Sequence, residues 1–156
     1  MAIEIPPNGS RGAWMPSAGV LRQGRALVAA LLYRLTAGQV IGRHSLLLLT
    51  VRARSGGHRT AYLRRFDDGD GRWLVVATNG GSAKHPAWLI NLSRHPDQVW
   101  VEVHRDRFKV RPELLRAEER AVAWRRVVAE AHRFGRYQDA TDREVPVVRL
   151  SRETPA

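Results

Sequence analysis

Ala77-Thr78-Asn79-Gly80-Gly81-Ser82-Ala83-Lys84-His85-Pro86-Ala87-Trp88-Leu89-Ile90-Asn91-Leu92 is the stretch that decides how the chain is read. It continues an apolar run, Trp73 to Ala77, that reads as a buried strand ending at polar and glycine residues. Gly80 and Gly81 allow a tight backbone turn and the close approach of a ligand. Pro86 suits the first turn of a short helix over 86–92, where its missing N–H costs little. Strand, glycine turn, lysine and helix start make a cradle for an anionic cofactor, with free amides and one cation. A plain connecting loop has the same features, and this stretch alone leaves both readings open.

Composition narrows the choice. The 156 residues fit one domain with a real core, and 44% hydrophobic content argues against a disordered chain. There is no cysteine, which excludes disulfides, cysteine-ligated zinc and thiol nucleophiles and fits a cytoplasmic protein. Lys and Arg number 26 against 15 Asp and Glu, a net charge of +11 that favours an anionic partner. The excess is scattered arginine with no basic tail, so no nucleic acid is expected as partner. The histidines at 44, 58, 85, 95, 104 and 132 form no ligand pair of the His-Glu-x-x-His kind, and no metal is expected. There is no serine-hydrolase elbow and no Walker or Rossmann glycine pattern.

On the N-terminal side, residues 1–17 read as a flexible tail, rich in proline and glycine, with Trp14 and Met15 as anchors on the body or on a membrane. Residues 18–156 read as a single domain beginning with an amphipathic helix from Ser17 to about Thr36. Leu21, Leu27, Val28, Leu31, Leu32 and Leu35 share a broad face flanked by Arg22, Arg25 and Arg34. Such a face either covers the core or lies on acidic lipid, at the inner face of the membrane. No stretch reaches the roughly 18 apolar residues of a membrane span.

Ser45 to Val51 reads as a strand buried on both faces, followed by a cationic turn over Arg52–Arg59 and a second strand from Thr60 to Phe66. An acidic hairpin turn, Asp67 to Gly71, leads into the third strand, Arg72 to Thr78. Val99 to Val103 alternates with a period of two, and Arg107 to Leu114 returns beside it. Ala117 to about Arg133 is helical, Phe134 to Ala140 a turn or short helix, and Val145 to Leu150 the last strand. About six mostly antiparallel strands with flanking helices make an α+β chain, a barrel or partly closed barrel.

Taken together, Leu48-Leu49-Thr50, Arg54-Ser55-Gly56, Arg59-Thr60, the stretch Asn79 to Trp88, Asn91-Leu92 and His95-Pro96 resemble the deazaflavin-dependent nitroreductases of actinobacteria. Tyr137-Gln138, Thr141-Asp142-Arg143 and Val145-Pro146-Val147 match the same family, and the likeness spans about residues 44–150. The resemblance implies a split β-barrel and the cofactor F420, a deazaflavin with a phosphate and a glutamate tail, with FMN as the alternative. It implies hydride transfer to a small planar substrate such as a quinone, enone or nitroaromatic. Arg52, Arg54, Ser55, Gly56 and Arg59 then form the phosphate turn and Lys84 a second cation, while Thr78, Asn79, Gly80 and Gly81 run beside the ring. His85, Pro86 and Trp88 complete the cofactor-binding set, with packing as the competing role for His85 and Trp88. Tyr137 is the expected proton donor, with Tyr33 and Tyr62 as alternatives. Where the family often has Gly-Arg-Lys-Ser-Gly, this chain has Arg52 to Gly56 as Arg-Ala-Arg-Ser-Gly. Tyr62 replaces a usual proline, and Phe134 replaces the first of two tyrosines. A homodimer and a non-catalytic flavin- or haem-binding barrel stay open.

Overall fold

The computed structural model describes residues 2–14, 20–39 and 43–154; Met15 and the side chains of Leu21 and Arg22 lie outside the described set. In chain order the elements are α1 (Val20–Thr36), β1 (Ser45–Val51), β2 (His58–Arg64), β3 (Phe66–Asp67), β4 (Arg72–Val76), α2 (Ala87–Arg94), β5 (Trp100–Val103), β6 (Asp106–Leu114), α3 (Ala117–Glu130), α4 (Arg133–Ala140) and β7 (Val147–Arg152). The seven strands form one sheet in the order β2-β1-β5-β6-β7-β4-β3, with every neighbour antiparallel. The sheet curls into a split barrel because β6 pairs through its first half with β5 and through its second half with β7. The seventh strand arises because the run expected as one strand to Phe66 breaks at Arg65, leaving the short β3 to pair with β4.

The continuous apolar runs belong to strands covered on both sides. Leu46 and Leu48 of β1, with Trp73, Val75 and Ala77 from β4 and its end, point into the barrel, where Trp88, Leu89 and Leu92 of α2 plug the core. Leu74 and Val76 point outward against Ala123, Val127 and Phe134 of α3 and α4. Leu47 points outward against Ala30 and Tyr33 of α1.

The leucine face of α1 does not cover the core. The helix packs through Ala30 and fully buried Tyr33, on the opposite side of a 3.6-residue repeat from the leucines. Leu27 and Leu35 are 69% and 71% exposed, and Val28, Leu31 and Leu32 are exposed with them. The small Ala30 side chain lets the helix lie close to the sheet, and the Tyr33 hydroxyl donates to Ser45 O at 3.1 Å and accepts from His104 N at 2.8 Å. Arg34 is drawn to the sheet by Glu102 at 2.9 Å.

In place of a loose tail, residues 2–14 are strapped to the body. They form no helix or strand, but Ile3 N bonds Ser93 O, Gly9 N bonds Ala83 O and Ala13 N bonds Gly81 O, each at 2.8 Å. Asp142 accepts from Ser10 N at 2.9 Å and Arg11 N at 2.8 Å, and Thr141 Oγ1 donates to Arg11 O at 2.8 Å. Proline and glycine had argued against regular structure; here they let the strap lie flat. A Cβ on Gly12 would enter the backbone of Ser82 and Ala83, and one on Gly9 would strike Asp142.

Candidate active site

A cleft of about 1030 Å³ opens where β2, one edge of the sheet, faces the turn that leaves β4. Arg59 to Leu63 form one wall, and Val76, Thr78, Asn79 and Ser82 to Trp88 the other. Ser10 and Gly12 to Trp14 of the strap, with Ala26 of α1, close the rim.

The glycine turn is left-handed through three consecutive residues, with φ of 43° at Asn79, 63° at Gly80 and 81° at Gly81. Asparagine and glycine are the residues that enter this region at least cost. Gly81 is required twice over: a Cβ there would lie 2.9 Å from Ala140 Cβ and 3.0 Å from Tyr137 O. Two of the expected free amides are otherwise engaged. Gly81 N donates to Thr78 O at 2.9 Å and Ser82 N to Asn79 O at 3.1 Å. Gly80 and Gly81 therefore shape the turn without lining the cleft, which Thr78, Asn79 and Ser82 do. Pro86 caps α2 from just outside its first turn, with extended backbone.

Lys84 is exposed on the cleft wall, and Arg59 is half-buried on the opposite one. Arg52, Arg54, Ser55 and Gly56 lie in an exposed turn at the entry to β2, outside the lining. That turn is closed by Arg52 N to Gly57 O at 2.7 Å and rooted on α2 by Ala53 N to Asn91 Oδ1 at 3.0 Å. Eleven ion pairs are present among the described residues, and none involves Arg52, Arg54, Arg59 or Lys84. Arg59 and Lys84 on facing walls, with Arg52 and Arg54 in the turn before β2, are the kind of donor set that suits a multiply charged anion such as the phosphate and carboxylates of F420. Among the described residues no group of His, Asp and Glu could hold a metal ion.

His85 and Trp88 touch the cleft but belong mainly to the packing. Trp88 is buried in the barrel core. His85 is buried, its backbone N donates to Asn8 Oδ1 at 2.9 Å, and its ring bonds Pro6 O at 2.7 Å and Arg143 at 3.1 Å. Burial, with the Arg143 charge beside it, lowers the His85 pKa below the ordinary 6.5, against the pull of the Pro6 carbonyl.

Among the tyrosines, Tyr62 lines the cleft and the expected donor Tyr137 does not. Tyr137 stands outside the cleft lining; its ring packs edge-on against Phe134 at 5.6 Å in the outer core, and its backbone supports Gly81. Tyr33 is sealed, with its hydroxyl already engaged. Tyr62 is the tyrosine on the cleft wall, half-buried and edge-on to Tyr33 at 6.0 Å.

Arg143 was quoted in the sequence only as part of a motif, without a role. It is the buried arginine beneath the turn, donating to Ser82 O at 2.8 Å, Ala77 O at 3.0 Å and Thr78 O at 2.8 Å. Gln138 holds its segment by donating to Arg143 O at 2.7 Å and accepting from Val145 N at 3.0 Å. Arginine is rarely this buried, so only the Thr-Asp-Arg spacing after the last helix could have marked it.

Comparison with known proteins bears on the fold and the family. The model of the F420H2-dependent quinone reductase family matches residues 25–152. An F420H2-dependent quinone reductase of Mycobacterium tuberculosis is 38% identical over 130 residues, covering 78% of this chain and 85% of that protein. A solved F420-H2 dependent reductase superposes with TM-score 0.63 at 32% identity, over 70% of this chain and 95% of its own. A second solved structure, described as a domain-swapped dimer, gives TM-score 0.66 at 29% identity, over 85% and 100%.

Proposed function

The chain belongs to the F420H2-dependent quinone reductase family, and from that membership we propose that it reduces a quinone, enone or nitroaromatic with F420H2 as reductant. The observation that supports the reading is a pair of cations without carboxylate partners, Arg59 and Lys84, on the walls of one cleft, with Arg52 and Arg54 in the exposed turn that leads into the strand carrying Arg59. FMN, with a single phosphate, would leave most of that charge unmatched. F420H2, when bound, supplies the hydride. The chain's own residues bind and orient: Arg59 from one wall, Lys84 from the other and Arg54 from the turn before β2 would hold the anionic tail, while Thr78, Asn79 and Ser82 offer polar side chains on the wall that carries Lys84. The strap, with Gly12 flat on the turn, excludes water from that side. Tyr62 takes the donor role first read at Tyr137, because Tyr62 lines the cleft and Tyr137 does not; it would give a proton to the substrate oxygen, and solvent would restore it.

We also propose where the protein works. The exposed stripe Leu27, Val28, Leu31, Leu32 and Leu35, with exposed Arg25 beside it, fits an acidic lipid surface, and the overall charge of +11 would hold the chain there on the cytoplasmic side. No described helix is long and apolar enough to cross a membrane. A homodimer is in keeping with the relative described as a domain-swapped dimer.

Titration of the protein with F420, FMN, haem and single-stranded DNA tests the central reading, with micromolar F420 binding and F420H2 oxidation by added quinone expected. Preference for FMN would transfer the protein to flavin chemistry, and DNA binding without F420 binding would end the reductase reading. Sedimentation with anionic and neutral vesicles tests the lipid contact, and analytical ultracentrifugation the dimer.

A further inference from the structure

Arg143 is 3% exposed, and among the described residues no carboxylate forms an ion pair with it. Its sequence neighbours are occupied elsewhere: Asp142 holds the strap at Ser10 and Arg11, and Glu144 pairs with Arg120 at 3.1 Å. A buried charge without a counter-ion is costly unless every donor is used. Here the fork spans the turn, reaching Ala77 O and Thr78 O on its incoming arm and Ser82 O on its outgoing arm. The remaining contact, Nη1 to His85 Nδ1 at 3.1 Å, fixes the histidine tautomer. Arginine only donates, so Nδ1 accepts and the ring proton sits on Nε2, which donates to Pro6 O at 2.7 Å. Burial favours this neutral ring. One continuous chain of bonds thus runs from the turn through Arg143 and His85 to the strap, and Asn8 closes it at His85 N.

We propose that Arg143 is a positioning residue for the reductase reaction: it cross-braces residues 77–82 in the shape that presents Thr78, Asn79 and Ser82 to the cofactor, and through His85 it makes that shape conditional on the seating of residues 6–9. The ligand named here rests on the F420 reading; the brace does not. Lysine cannot replace the fork, because one ammonium cannot meet carbonyls on both arms while also donating to a ring nitrogen. Removing the fork takes a donor from the buried Ala77 carbonyl, from the part-buried carbonyls of Thr78 and Ser82, and from the His85 ring nitrogen.

The test compares Arg143→Lys and His85→Gln with the parent, as full chains, by amide hydrogen exchange and by F420 titration at a temperature where each variant is folded. Arg143→Lys is expected to weaken F420 binding about tenfold or more and to speed exchange at residues 77–85 and 3–13 while β1, β5 and β6 keep their protection. His85→Gln leaves the arginine on the turn and is expected to loosen mainly the strap, with a smaller loss of affinity. Parental affinity in folded Arg143→Lys, or faster exchange spread evenly over the sheet, overturns the proposal. Should Arg143→Lys not fold, His85→Gln and His85→Ala decide it: unchanged strap exchange and unchanged affinity overturn the coupling. Failure of the parent to bind F420 sinks the functional reading instead, and the exchange measurements still decide the brace.

Discussion

The turn at Asn79–Gly81 and the turn at Arg52–Gly57 both reverse the chain through glycines of positive φ, yet their surroundings are opposite. Gly81, at φ 81°, lies against Ala140 and the Tyr137 backbone, and the strap and Arg143 hold the loop from two more sides. Gly56, at φ 70°, has nothing within 4 Å of the place a Cβ would occupy, and the arginines around it are exposed. The first loop is rigid, so what it presents is shape. The second presents charge, on side chains that can follow a ligand. A site for a flat ring with a long anionic tail needs both: a fixed wall for the part that must be oriented and an adaptable one for the part that must only be held.

The most forceful way to break this contrast is to add one methyl group to each turn. Gly81→Ala should cost about 3 kcal/mol, from the left-handed backbone and the overpacked contact together. Gly56→Ala should cost about 1 kcal/mol, from the backbone alone. Urea unfolding measures both, and equal losses would erase the distinction between braced and open.

The two tyrosines sharpen it next. Tyr62→Phe should slow quinone reduction by up to ~10²-fold with F420 affinity and melting temperature held, whereas Tyr137→Phe, behind the rigid wall, should leave the rate near parental. Steady-state kinetics on both variants decides, and the reverse order would restore Tyr137 as the donor.

Alanine at Arg54, Arg59 or Lys84 should each weaken F420 binding by roughly 1.5–3 kcal/mol where a charge-assisted bond is lost, without lowering the melting temperature. Added salt should weaken the parent's binding too. A variant that loses stability along with affinity would place its cation in the scaffold.

The gentlest probe is pH. The folded chain holds His85 neutral more firmly than the unfolded chain does, so its contribution to stability is whole above about 6.5, the ordinary histidine value, and drains away as pH falls below it. The urea midpoint should therefore decline from pH 6.5 towards 5, and His85→Gln should flatten that slope. An unchanged slope would mean that other groups set it.

The strands were legible because burial on both faces writes apolar runs such as Ser-Leu-Leu-Leu-Leu-Thr-Val, and the glycine turn because few residues other than Asn and Gly enter the left-handed region cheaply. The cations were legible as a motif, but the motif did not say that Arg59 and Lys84 line the cleft while Arg52 and Arg54 stand outside it. What escaped was long-range. That residues 2–14 strap the turn depends on Gly9 and Gly12 meeting backbone more than seventy positions away, and proline-glycine composition reads the same for a strap as for a loose tail. Arg143 looked like any surface arginine because its partners are main-chain carbonyls, which leave no complementary residue type in the sequence. The side of α1 that meets the sheet stayed open because periodicity finds the apolar face without saying what it faces.

That last feature separates two kinds of selection on one helix. Ala30 and Tyr33 answer to the fold, whereas Leu27, Leu31 and Leu35 support nothing beneath them. Polar substitutions along the outer stripe would leave folding untouched, so this surface is free to drift, strengthen or vanish between lineages while the catalytic body stays the same.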